Sequence, residues 1–465
     1  MRGLTSTLLL VVALAGLGGY IYFVDSKRPE PGIDGGPAKE KVYSLAPDAV
    51  NEVKLTFNGE TSLLRKTESG WKMIEPVETE ADAAEATSLG QALANLELVR
   101  VVEENATDLQ KYNLATPPIA VEFKAGSVTG SLLLGDKNAT QGEMYALKNG
   151  EKKVFLVSSF QETNFNRTPF DLRDKKILKF DREKADNVTL VRGGSSMALA
   201  RSGSEWKVTT PVPSRSDYSA VEGLLTRLST SNMSKLLESD AKDLAKYGLD
   251  KPVMTITVGA GSAKTVLEVG KTEEGQTYAR DASRPLVFTV DTTLQGDFTK
   301  PFDDYRKKEL FELRAFYVSR IRAVLDAPGG PKTYEFEKVK AEKPTDQESW
   351  KVTRVGGASH TVTSTVMDEL LSKLVALKAE SFVDPKARTG LDKPALVVSA
   401  SFDEGKFERV RFGQVGEEAF GAREGEAVIA KVDRASMAAA MQAFDAVVMP
   451  PEPAAPAADK AGEKK

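Results

Sequence analysis

The sequence predicts an α+β protein of three tandem modules, each a mainly antiparallel sheet carrying one principal amphipathic helix, after an N-terminal transmembrane helix. Two observations predict the modules. Three landmarks recur in a fixed order: a tryptophan before lysine (Trp71, Trp206, Trp350), a Leu-x-x-Pro turn (ending at Pro117, Pro252, Pro394), and a glycine (Gly135, Gly270, Gly413) after a run rich in Val and Leu. All three shift by 135 residues from the first copy to the second and by 142 to 144 from the second to the third, the mark of a repeated structural unit. Within each copy, apolar residues alternate with period two and then switch to helical spacing.

Leu4 to Val24 is 21 residues without a charge. At ~1.5 Å rise per residue it spans ~30 Å of hydrocarbon, with Tyr20 and Tyr22 at its far end. A cleaved signal peptide ending at Ala13-Leu14-Ala15 is the alternative, but it leaves Gly16 to Val24 as an apolar end on the mature chain. The reading is a single-pass anchor over 1–24 in a bacterial inner membrane, with the bulk of the chain in the periplasm. Residues 25–40, rich in Pro, Gly and charge, read as a flexible tether, and 450–465 as a disordered tail. Between them lie modules 41–178, 179–311 and 312–449.

Each module opens with short strands around a turn: Asn58-Gly59 in the first copy, Gly193-Gly194 in the second and Pro328-Gly-Gly-Pro331 in the third. The tryptophan strand completes a three-stranded meander, and Pro76 and Pro211 stop it. Asp82 and Asp217 suit the N-terminus of the helix that follows, where a carboxylate satisfies free N–H groups. Leu89, Leu93 and Leu96 mark one helical face; so do Val221, Leu224, Leu225 and Leu228, then Met367, Leu370, Leu371 and Leu374. That periodicity lays the helix on a sheet. Two further hairpins follow the Leu-x-x-Pro turn.

The order of polar turn, Trp-Lys, Pro, amphipathic helix, Tyr-Gly-Leu-x-x-Pro and strand-Gly resembles the bacterial family described as domain of unknown function 4340. The second module carries it best, with Tyr247-Gly-Leu-Asp-Lys-Pro252; Asn113 replaces the glycine in the first and Thr389 the tyrosine in the third. The resemblance implies an N-terminal membrane helix, repeats of this unit, and an association with ABC transporters of the gliding-motility type. It brings no catalytic residue.

Composition narrows the function classes. Apolar residues are 41%, charged residues 28% and net charge −4, with no basic footprint for nucleic acid. The absence of cysteine removes disulfides, thiolate metal sites and cysteine nucleophiles. Each tryptophan reads as sealing its module's core, with a ligand surface as the competing role. Leu-Asp-Lys-Pro (249–252 and 391–394) reads as a structural turn after a short helix. Gly270-Lys271-Thr272 imitates a phosphate loop, yet Thr265 stands where the loop's first glycine belongs. His360, the only histidine, is read as a loop residue without a counterpart in the other copies. No calcium loop, cofactor or metal site is expected. A candidate docking surface is the repeated charged segment after Pro-Phe-Asp: Phe170, Arg173, Lys175 and Lys176, then Phe302, Arg306, Lys307 and Lys308, with a solvated inter-module helix as the default. The expectation is a non-enzymatic accessory or scaffold of a membrane complex; the alternative is an envelope hydrolase or ligand-binding protein with a site in a cleft between modules.

Overall fold

The computed structural model describes residues 40–340, 348–403 and 405–449. The anchor (1–24), all but the last residue of the tether (25–40) and the tail (450–465) lie outside them. Among the described residues no helix is long and apolar enough to cross a membrane.

Each module is a nine-stranded antiparallel sheet. In the first, the strands are β1 (Val50–Phe57), β2 (Glu60–Thr67), β3 (Gly70–Glu75), β4 (Thr79–Glu80), β5 (Arg100–Glu103), β6 (Ile119–Ala125), β7 (Val128–Lys137), β8 (Glu143–Lys148) and β9 (Val154–Ser158). Their spatial order is β4-β3-β2-β1-β6-β7-β8-β9-β5. The chain thus builds one meander, crosses the sheet with the principal helix, and lays β5 at the far edge. It then returns to the centre beside β1, and its second meander runs out to meet β5. The other two modules repeat this order strand for strand. The sequence reading anticipated the two groups of strands and the helix between them; it missed the edge strands β4 and β5.

Local chemistry forms these elements as expected. Asn58 and Gly59 both hold positive φ, 49° and 84°, as do Gly193 and Gly194, at 54° and 80°, giving hairpin turns that match strand twist. Principal helices span Ala83–Ala94, Tyr218–Thr230 and Ser364–Val375. The Asp82 carboxylate accepts from the N–H groups of Ala84 and Glu85, and Asp217 from that of Ala220. The predicted faces are buried: Leu89 and Leu93; Val221, Leu224, Leu225 and Leu228; Met367, Leu370, Leu371 and Leu374. Leu96, just past its helix, is fully buried too. Each such side chain stabilises the fold by about 1.5–3 kcal/mol.

The tryptophans lie in these cores, at 8%, 2% and 1% exposure for Trp71, Trp206 and Trp350. The Trp206 indole N–H donates to Glu222 on the principal helix at 2.9 Å, tying sheet to helix. The Leu-x-x-Pro turn works on the opposite face. Tyr112 and Leu114 form a second small core with Leu147 and Val154, while Tyr247 and Leu249 pack with Val287. Tyr112 meets Tyr145 at 4.7 Å and Tyr247 meets Tyr278 at 5.1 Å. Helix on one face and turn on the other explain why β9 is buried from Val154 through Val157.

The turn and the repeated glycine are two halves of one contact. A Cβ on Gly135 would stand 2.1 Å from the Tyr112 carbonyl oxygen, on Gly270 2.2 Å from that of Tyr247, and on Gly413 2.3 Å from that of Thr389. No side chain fits there, so backbone meets backbone. The turn itself needs a left-handed residue: Asn113 (φ 54°), Gly248 (66°) and Gly390 (70°). The Gly-Lys-Thr at 270–272 therefore belongs to a strand, Ala263–Glu273, and is no phosphate loop.

By contacts the chain divides into two compact units, the first ending at Lys175 and the second, with modules two and three, beginning at Lys176. Leu310 and Phe311 also pack into the third module's core, so both later modules begin a few residues before 179 and 312. His360 lies on a strand, Ser359–Thr363, not in a loop, and its Nε2 is 2.9 Å from the Val447 carbonyl oxygen. Val447 lies in the last turn of a long helix, Arg434–Val448, that the sequence reading missed; its Phe444 packs on Tyr334 and Phe336.

Gly270→Ala is expected to destabilise the protein by roughly 1–3 kcal/mol through overpacking. Gly223→Ala, at an exposed helical site with nothing within 4 Å, is expected to be neutral or stabilising by up to about 1 kcal/mol. Paired denaturant titrations of the two variants check this contrast.

Candidate functional site

The segments proposed from sequence as a docking surface are straps, each lying along a sheet edge. In the first module, Leu172 to Asp174 run along the β4 edge: Asp82 N–H donates to the Leu172 carbonyl, Asp174 N–H donates to the Glu80 carbonyl, and Arg173 bridges Ala81. In the second, Tyr305 to Lys307 do the same with Asp217, Ser216 and Arg215. Each chain then pairs with the bend leading to the other edge of the sheet it enters, Lys176 with Asn232 and Glu309 with Lys378. Lys41 pairs with Glu97 in the first module at the equivalent place.

This corrects the helical reading of the segments, and the docking reading at its two arginines. They are extended rather than helical: after a single turn that starts at Pro169 or just past Pro301, bonds to the sheet edge hold each strap straight. Arg173 and Arg306 are 7% and 4% exposed, hence not available as a docking surface. Arg306 donates to the Val212 carbonyl at 2.9 Å and to the Ser214 hydroxyl at 2.5 Å. The lysines are held locally too: Lys175 on the Asp171 carbonyl and 5.9 Å over the Phe170 ring, Lys176 on the Thr230 carbonyl, Lys307 on Glu312 and Lys308 on Asp304. Phe302 lies under the Arg192 guanidinium, 5.2 Å away.

Sequence reasoning overlooked the charged cluster that joins the second and third modules. Arg215, at the end of a second-module edge strand, ion-pairs with Glu426 and, at 3.0 Å, with Glu312, and donates to the Glu309 carbonyl at 2.7 Å. Arg423 reaches Glu408 at 3.0 Å and lies 3.8 Å from both Glu312 and Glu426. Glu408 is only 3% exposed, and its two oxygens also accept from the Glu312 N–H. Burial pushes the Glu312 carboxyl up, but the Lys307 ammonium and the Arg215 guanidinium outweigh it and bring it down to about 2. Beside the cluster opens a groove of about 510 Å³, lined by Lys307, Glu312, Lys406, Phe407, Glu408 and Arg423. One signal was legible: in the alternating strand Lys406–Val415, Glu408 occupies the face of Val410 and Phe412.

The arrangement suits fixing two modules together, since every carboxylate in it has a cationic partner. In the first module a larger groove, about 800 Å³, crosses Glu52, Lys54, Glu122 and Lys124, where Glu52 is paired with Lys124 and Arg65. Among the described residues no group of three His, Asp or Glu is placed to hold a metal ion.

Two predictions follow from the junction. Glu312 has a folded pKa below its unfolded value, so its contribution is complete above about pH 4.5 and is lost as pH falls toward 2. Acid titration followed by intrinsic fluorescence is expected to show stability falling across that window, and Glu312→Gln to flatten the slope there. Glu408→Gln, which leaves Arg423 without its buried counter-charge, is expected to cost about 1.5–3 kcal/mol in denaturant unfolding.

A family model described as Domain of unknown function (DUF4340) matches the chain twice, over residues 71–218 and 206–394. The two matches begin at Trp71 and Trp206, and the second ends at Pro394. No curated protein matches the chain. Among solved structures, a DNA polymerase sliding clamp from Pseudomonas aeruginosa is similar at 10% identity, over 84% of this chain and 93% of that one, with a TM-score of 0.16. That score carries no argument.

Proposed function

Because the chain belongs to the family described as Domain of unknown function (DUF4340), we propose that it is a non-enzymatic accessory or scaffold protein of a membrane complex. The observation that carries this reading is where the repeated residues go. Trp71, Trp206 and Trp350 fill cores. Gly135, Gly270 and Gly413 admit a backbone. Arg173 and Arg306 lie in straps. What the modules share is therefore spent on structure and on joining, and repetition of that kind multiplies surface and reach. The charged residues richest in geometry, at the junction of modules two and three, are paired with one another rather than left to act on a substrate.

The membrane belongs to the proposal through the 21-residue apolar segment Leu4 to Val24, which would hold the protein in a bacterial inner membrane with its modules in the periplasm. ABC transporter subunits are the proposed partners, on the family resemblance alone. The test is affinity capture of the tagged full-length protein from detergent-solubilised membranes, with mass spectrometry of the captured proteins. Stoichiometric recovery of transporter subunits, lost when residues 41–449 are deleted, is the expected result. Failure to recover any membrane protein reproducibly would sink the partnership.

A further inference from the structure

The third module breaks the strap pattern at one place. In the first two modules the edge strands Thr79–Glu80 and Ser214–Arg215 are two residues long, and a strap covers the residue after each. In the third the equivalent strand is Ser359–Thr363, five residues long, and among the described residues nothing bridges its outer side. The chain segment that would supply the strap takes another course. Val290-Asp291 corresponds to Val432-Asp433, which aligns Pro301 with Ala443. Without that proline the helix continues to Val448 instead of breaking into a strap.

The backbone of this edge points outward at alternate residues. The Arg354 N–H donates to the Ala358 carbonyl, and the ladder then pairs Val352 with His360 and Trp350 with Val362. In an antiparallel ladder the bonded pairs alternate, so Ser359, Thr361 and Thr363 turn their N–H groups away from the sheet. Thr361 and Thr363 correspond to Arg215 and Asp217, whose carbonyl and N–H bond the second strap. Ser359, Thr361 and Thr363 are all exposed. No proline or lysine blunts the strand, the usual protection of an open edge.

We propose that Ser359–Thr363 is a β-addition site for an extended segment of a partner protein, paired antiparallel as the straps are. The straps state the chemistry it accepts: Asp171-Leu172-Arg173 and Asp304-Tyr305-Arg306 are both an apolar residue between an acid and arginine. Main-chain bonds supply affinity in such additions, and alternate side chains supply choice of partner. The inference stands on the edge geometry and is independent of the transporter reading.

The test uses the full-length protein and a synthetic peptide of residues 300–309 of its own sequence. Hydrogen exchange is expected to slow at Thr361 and Thr363 when peptide is added. Thr361→Pro, which removes an outward N–H and spares the ladder, is expected to weaken peptide binding by about tenfold or more. Ser359→Pro serves as a second variant should the first unfold. Slowing confined to other sites, no slowing at all, or unchanged binding by a folded proline variant would overturn the proposal.

Discussion

A close approach of backbone to backbone in each module governs its design. At Gly135, Gly270 and Gly413 the sheet comes so near the Leu-x-x-Pro turn that a methyl group would collide with a carbonyl oxygen. This contact presses Tyr112 and Leu114, or Tyr247 and Leu249, onto the face of the sheet that the helix leaves open. Sheets covered on one side only would expose β9, which is apolar on both faces. The turn's left-handed residue and the facing glycine are thus a set that recurs in every module, with the tyrosine added in the first two.

Around that set the modules differ where solvent or a neighbour allows. The tyrosine hydroxyl reaches Glu103 in the first copy and Glu238 in the second, each beside a lysine that shares the carboxylate. Those hydrogen bonds hold both carboxyls below the usual range. Thr389 has no hydroxyl of that reach, and Phe420 stands where Tyr145 and Tyr278 stack in the others. The third module also differs in its long helix, whose Phe444 packs against Tyr334 and Phe336 in the main core.

What the sequence made legible was whatever depends on local spacing or on a residue type with one structural use. The tryptophans, the capping Asp82 and Asp217, the Asn58-Gly59 turn and the helical leucines all fall in this class. The short edge strands were not legible, because two to five residues carry too little periodicity. Nor were the straps: a run such as Leu172-Arg-Asp-Lys-Lys176 has a helix-like composition, and only the sheet edge it lies on draws it out straight. The junction of Arg215, Glu312, Glu408, Arg423 and Glu426 joins positions up to 211 apart along the chain. Glu408 alone announced it, as a carboxylate on an apolar face.

The way the chain is received at each module bears on how such a protein grows. Lys41, Lys176 and Glu309 all seat on the same bend of the sheet they lead into. A seat that recurs in every module needs no invention when a copy is inserted or lost. Duplication of one unit in the gene would carry its own seat with it, so a further copy could be received without change to any module's interior.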